Sequence, residues 1–240
     1  SFFSMIRNNI PNLITLCNLM CGVSAVIVAF SGIIPFEVAS ILVFAGAVFD
    51  FFDGFAARVL NAKSAIGKEL DSLADLITFG FAPAAILSAV IQHLLFGTVF
   101  PDLDTIVWQE YILILTPFII VPFSALRLAK FNVDERQSHT FIGLPTPANA
   151  LFFAAIIFYS DLSPVLLVFL SIAFSLLLVS EIPMFSLKFA TYSFSENSFR
   201  YIFIALSIVA FIVFNLLSLP FIILAYILSS IVLYIISKRK

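Results

Sequence analysis

Apolar runs about twenty residues long, broken by short polar stretches, cover almost the whole chain. They fall at 12–31, 36–60, 67–97, 110–130, 147–161, 164–182, 199–216 and 219–237, near the ~20 residues that an α-helix needs to cross a bilayer. The pattern predicts eight transmembrane helices. The fifth is the shortest, because Ser160-Asp161-Leu162-Ser163-Pro164 makes a tight connection to the sixth, and Pro122 is expected to kink the fourth. Leu13 to Phe30 has the length of a signal segment. No small-x-small cleavage pattern follows it, and it carries the polar stripe Asn12, Thr15, Asn18, so it reads as a span. Phe2, Phe3, Met5 and Ile6 suggest an interfacial helix over residues 1–10.

Numbering the spans sorts the loops into two sides. Arg7, Arg58, Lys63, Lys68, Arg127, Lys130, Arg136, Lys188, Arg200, Lys238, Arg239 and Lys240 all fall on one side. The opposite loops hold Glu37, Asp102, Asp104, Glu110 and Asp161, without a Lys or Arg. By the positive-inside rule, both termini and the loop near residue 63 face the cytoplasm of an inner-type membrane. Losing one span would scatter the charges, so the asymmetry also supports the count.

Composition agrees with lipid as the solvent: 62% of the 240 residues are hydrophobic and 11% charged, against about 25% charged in soluble domains. With a net charge of −2 and no basic run before the last three residues, nothing points to a nucleic-acid partner. Cys17 and Cys21, four apart on one helix, read as small buried side chains rather than a disulfide. No internal repeat is visible. The polar stretch Glu181 to Arg200 separates a six-helix core, residues 1–190, from a terminal hairpin, residues 191–240, that reads as packing or dimer surface.

Against this apolar background stand four carboxylates: Asp50, Asp53, Asp71 and Asp75. An ionised Asp at mid-bilayer costs roughly 2.5–3.5 kcal/mol, so four need positive charge beside them. Folding the second and third helices antiparallel about residue 62 puts Asp50 level with Asp75 and Asp53 level with Asp71. The layer lies roughly 15 Å from the helix end at 1.5 Å per residue. At 100° per residue, Asp50, Asp53, Gly54 and Ala57 share one helix face, and Gly67, Asp71, Ala74, Asp75 and Thr78 share another. Small residues beside acids leave room for a ligand and let backbones approach. Oxygen ligands at this density suit Mg²⁺ or Mn²⁺, and two ions can clamp a phosphoryl group. Arg58 suits a diphosphate oxygen. One arginine cannot balance four acids, which excludes a purely structural network. A divalent-cation transporter is the competing class, although no paired discontinuous helices or two-fold repeat support it.

Asp50-x2-Asp53-Gly54-x2-Ala57-Arg58-x8-Gly67-x3-Asp71-x3-Asp75 resembles, without a departure, the signature of the CDP-alcohol phosphotransferase family. The resemblance implies a six-helix core and two divalent metals on Asp50, Asp53, Asp71 and Asp75. It implies a cytidine diphosphate-linked donor, CMP as leaving group, and Asp75, beside Asp71, as the base that takes the alcohol proton. Gly54, Ala57, Arg58, Gly67, Asn12 and Thr15 are the residues expected around CDP-diacylglycerol.

The acceptor side is read from Arg127 to Ala150. Thr146 before Pro147 predicts an N-cap and a helix start favourable to an anion, with Arg127, Lys130 and Arg136 beside it and Asn132, Asp134, Glu135 and Gln137 available to an amine. This stretch, with Pro11-Asn12-x2-Thr15-x2-Asn18-x3-Gly22 and the segments Val179–Pro183 and Phe185–Lys188, resembles the serine-using members of the family. That implies L-serine as acceptor, phosphatidylserine and CMP as products, and a homodimer. Arg127, Lys130, Asn132, Arg136 and Gln137 are then the expected serine ligands. Glycerol 3-phosphate is the alternative acceptor within the family, and would demand a stronger dianion site. His93 and His139 are expected to be structural.

Overall fold

The computed structural model describes residues 2–62, 64–134, 141–185 and 194–238. Among these, five segments are long and apolar enough to cross a membrane: Asn9–Ala29, Phe36–Val59, Ala65–Phe96, Trp108–Val133 and Asn197–Lys238. Thr146–Ile156 and Pro164–Val179 are apolar but shorter. The protein is a polytopic, helical membrane protein.

Helix α1 (Phe2–Ala29) runs unbroken through Pro11, so residues 2–10 continue the first span; the side chains of Phe2, Phe3, Met5 and Ile6 lie outside the described residues. It packs along α2 (Phe36–Val59). After α2 the chain turns at Asn61, whose φ of 49° is left-handed. Ser64 then caps α3 (Ala65–Asp75), its Oγ accepting from Gly67 N at 3.0 Å. The helix continues through a π-helical turn, Leu76–Phe81, into α4 (Ala82–Phe96). Every residue from Ala82 to Ile91 is buried. This alanine-rich rod is the central pillar, because small side chains let the neighbouring helices approach its backbone.

Two glycines set how closely the first helices meet. A Cβ on Gly46 of α2 would lie 2.4 Å from Thr78 Cγ2, and one on Gly22 of α1 would lie 2.6 Å from Thr78 Oγ1. Thr78, in the π turn, donates its hydroxyl to Asn18 O of α1 at 2.9 Å. Two helices thus close on one threonine, a few residues beyond Asp75.

The fourth span breaks earlier than the expected kink at Pro122. Helix α5 (Trp108–Leu115) gives way to a 3₁₀ turn, Thr116–Ile119, containing Pro117, and α6 (Ile120–Val133) follows. Pro117 cannot donate to the turn before it, whereas Pro122 sits in the first turn of α6, where its missing N–H removes little. Helix α7 (Thr146–Ile156) has 11 residues, about 16 Å at 1.5 Å per residue, and is too short to span by itself. It is almost wholly buried, held by Phe152 and Phe153 against Phe174 of α8 (Pro164–Val179), with the 152–174 rings stacked at 4.1 Å.

Strands β1 (Phe141–Ile142) and β2 (Pro183–Met184) pair antiparallel at the end where α6 and α8 finish. Gly143, at φ 76°, makes the turn beside them; a Cβ there would meet Leu178 O at 2.5 Å. Helix α9 (Phe194–Phe214) leads through a 3₁₀ turn, Asn215–Ser218, to α10 (Leu219–Lys238). Tyr226 and Ser230 of α10 bond the backbone of Phe185, and Tyr159 OH donates to Leu217 O at 2.5 Å. Cys17 and Cys21 are unpaired, and Cys17 is exposed rather than buried.

Gly46→Val is expected to destabilise the protein by about 1–3 kcal/mol, because overpacking forces helices apart. Gly54, whose added Cβ meets nothing within 4 Å, should tolerate alanine without loss of stability. Thermal unfolding of the two variants in detergent checks the contrast.

Candidate metal and nucleotide site

The polar stripe of α1 meets the acidic helices one residue at a time. Asn12 Oδ1 stands 3.0 Å from the point where a Cβ on Gly67 would lie. Thr15 donates to Asp53 Oδ2 at 2.6 Å. Asn18 donates its amide to Asp75 Oδ1 at 3.1 Å. Three positions at helical spacing on α1 therefore reach α3, α2 and α3 again.

Asp50, Asp53 and Asp71 each present a carboxylate oxygen, and the three oxygens lie within 4.8 Å of one another. Asp50 also faces Asp75. Asp53 and Asp75 are buried, at 5% and 7% exposure. Asp71 Oδ1 is buried without a hydrogen-bond partner among the described residues. Like charges this close repel strongly in a poorly polarisable setting, and an orphaned carboxylate oxygen costs more still. Hard oxygen donors converging on one point suit a divalent cation. The cluster is able to coordinate one.

Beside it opens a cavity of about 530 Å³, with Asn12, Thr15, Asp53, Gly54, Gly67 and Asp71 on its wall. Gly54 leaves space there, since nothing approaches within 4 Å of its missing Cβ. Ala57 is also on the wall. Arg58 is not: its side chain is exposed and its Nε donates to Gly54 O at 2.9 Å.

The residues read as the acceptor side divide. Arg127 and Lys130 line a second pocket of about 210 Å³, with Asp134, Ser180 and Glu181. Arg127 is 4% exposed, its Nε has no hydrogen-bond partner among the described residues, and its guanidinium carbon lies 5.1 Å from the Phe131 ring centre. Lys130 Nζ is 3.9 Å from Glu181 Oε1, with both side chains more than half exposed, so this pair contributes little to stability. Asn132 instead ties α6 to α3, donating to Ser72 Oγ at 2.8 Å. Arg136, Gln137, Glu135 and His139 lie outside the described residues, as do Lys63 and Lys188. The expected cap at Thr146 falls one residue late: Pro145 is the N-cap, Thr146 begins α7, and its buried hydroxyl has no hydrogen-bond partner among the described residues. Proline already fixes the entry φ there, so no side-chain cap is needed. His93 packs edge-on against Phe36 at 5.7 Å, at the other end of α4 from the acids.

A family model described as CDP-alcohol phosphatidyltransferase matches residues 8–179. The chain belongs to this family. It is 37% identical over 177 residues to CDP-diacylglycerol–serine O-phosphatidyltransferase of Bacillus subtilis, covering 73% of this chain and 89% of that one. It is 32% identical over 179 residues to archaetidylserine synthase of Methanothermobacter thermautotrophicus, covering 72% and 68%. The Saccharomyces cerevisiae CDP-diacylglycerol–serine O-phosphatidyltransferase is 36% identical over 162 residues, covering 61% of this chain and 53% of that protein.

As a member of this family, the protein is a membrane enzyme of phospholipid metabolism. It moves a phosphatidyl group from CDP-diacylglycerol to an alcohol. The matched region runs from within α1 to the end of α8 and holds every aspartate of the cluster.

Sequence reasoning did not assign Asn18 to Asp75, nor Lys68 to the cavity wall, where the structure places them. The signal for Asn18 was its place in the α1 stripe. Lys68 had none, being indistinguishable from the other basic residues of its side.

Asp53→Asn and Asp71→Asn should each weaken Mn²⁺ binding at least tenfold, read by calorimetry on purified protein without lipid donor. Unchanged affinity in both variants would remove the cluster as a cation site.

Proposed function

We propose that the enzyme transfers the phosphatidyl group of CDP-diacylglycerol to the hydroxyl of L-serine, giving phosphatidylserine and CMP. The observation that carries the reading is the convergence of Asp50, Asp53 and Asp71 beside a cavity lined by the small residues of the signature. Relatives named for serine support the acceptor.

In this reading Asp50, Asp53, Asp71 and Asp75 hold divalent metal, Mg²⁺ or Mn²⁺, as two ions. Bound there, metal neutralises charge on the diphosphate and stabilises CMP as it leaves. Asn12, Thr15, Gly54, Ala57 and Gly67 shape the donor cavity, and Arg58 is the cation next to its wall. Thr15 fixes Asp53, and Asn18 occupies one oxygen of Asp75. The second oxygen of Asp75 then accepts the serine hydroxyl proton as the hydroxyl attacks phosphorus.

The 210 Å³ pocket suits a small zwitterion. Arg127 and Lys130 take the carboxylate, while Glu181 and Asp134 face the ammonium. Arg136 and Gln137 complete that side by resemblance, and Asn132 contributes through its tie to α3. Serine fits the pocket better than glycerol 3-phosphate, since acidic and basic groups line it together. A divalent-cation transporter has no use for it.

The proposed arrangement of eight apolar segments, with the short α7 held inside the bundle, puts both termini and the active site on the cytoplasmic side of the inner membrane. The Lys68–Asn132 and Lys130–Glu181 contacts lie at one end of the helices. The Phe36–His93 and Tyr159–Leu217 contacts lie at the other. Residues 1–190 carry the chemistry. Residues 191–240 form a transmembrane hairpin that covers the core and offers a surface to a second copy in a homodimer.

Purified enzyme with Mn²⁺ and CDP-diacylglycerol should incorporate labelled serine into lipid in preference to glycerol 3-phosphate; preference for the latter would overturn the acceptor. Asp75→Asn should lower turnover by about 10²–10⁴-fold, the range of general-base catalysis, while CDP-diacylglycerol binding persists. Arg127→Met should raise the KM for serine roughly tenfold or more, as expected when a hydrogen bond to a charged group is lost. Lysine at this position should restore it only in part.

A further inference from the structure

The donor cavity has an electrostatic difficulty. Asp53 and Asp71 stand on its wall, and a diphosphate brings more negative charge into the same space. Arg58 is anchored back on its own helix through Gly54 O and is not on the wall. Among the described residues, one cationic side chain lines this cavity: Lys68, in the first turn of α3.

Lys68 is well placed to serve an incoming anion. It follows Gly67 directly, and Gly67 and Ser64 put the start of α3 on the cavity wall. Its Nζ donates to the backbone carbonyl of Asn132 at 2.9 Å. An ammonium has three N–H donors, so that bond leaves two. Asn132 is itself held: its amide donates to Ser72 Oγ at 2.8 Å, and Ser72 Oγ donates to Lys68 O at 3.2 Å. The ring Lys68–Asn132–Ser72 spans α3 and the last turn of α6, and restrains the lysine stem. A compact charge on such a stem is a common partner for phosphate oxygens.

We infer that Lys68 is a binding residue for the donor's diphosphate, and that Asn132 is the positioning residue that holds it at the cavity wall. The inference rests on the proposed donor site and adds a cation to it. Because Lys68 acts on phosphate charge, its contribution grows with the number of phosphates on the nucleotide. Cytidine recognition should be indifferent to it.

The test uses the full chain in detergent with Mn²⁺, and compares binding of CDP and CMP by calorimetry. Lys68→Met should weaken CDP at least tenfold and CMP distinctly less, at an unchanged thermal midpoint. Lys68→Arg should bind CDP distinctly better than Lys68→Met, since the charge is kept although the compact ammonium is not. Lys238→Met removes one charge at the far end of α10 and should leave both affinities unchanged. CDP binding to Lys68→Met at parental strength would overturn the inference. So would an equal loss of CDP and CMP together with a lowered midpoint, the signature of a merely structural lysine. Failure of the parent protein itself to bind CDP would overturn both this inference and the donor site beneath it.

Discussion

The carboxylates of two adjacent helices cannot be left to repel one another inside a membrane, and much of the structure follows from that constraint. Three aspartate oxygens within 4.8 Å need a cation, and they need helices close enough to share it. Gly46 and Gly22, both closing on Thr78, bring α1 and α2 against the segment that follows Asp75. Thr15 and Asn18 then fix the carboxylates from a third side. Packing and electrostatics are one problem here: a side chain on either glycine would open the cage as well as the core.

The π-helical turn at Leu76–Phe81 has a clear place in this arrangement. It follows Asp75 directly and adds a residue to the turn, which rotates what comes after it. Gly80 in that turn lies against Ser124 of α6, where an added Cβ would come within 3.0 Å. The same turn therefore touches α1 and α2 through Thr78, and α6 through Gly80. Arg127 lies one turn along α6 from Ser124. The acid cage and the pocket containing Arg127 thus both border on helices that pack against one irregular segment.

The cage was legible in the sequence because charge inside an apolar run is rare and its spacing maps directly onto helix faces. The stripe Asn12, Thr15, Asn18 was visible for the same reason. The π turn was not legible, since Leu-Ile-Thr-Phe-Gly-Phe reads as ordinary apolar helix, and only tertiary contacts distinguish it. The break at Pro117 rather than Pro122 depended on which proline began a helix, and the hydrophobic pattern is silent on that. The β1–β2 pair was invisible because two residues carry no period, although the segments around it had been singled out separately. Membership of the CDP-alcohol phosphatidyltransferase family agrees with the family resemblance carried by the sequence and does not by itself name the acceptor.

The most direct test is crystallographic: Mn²⁺ introduced into crystals of the enzyme and located by its anomalous scattering. The account predicts manganese within coordination distance of Asp50, Asp53 and Asp71, on the side facing the cavity. Strong anomalous peaks confined to other parts of the protein, with those three side chains turned away from one another, would contradict it.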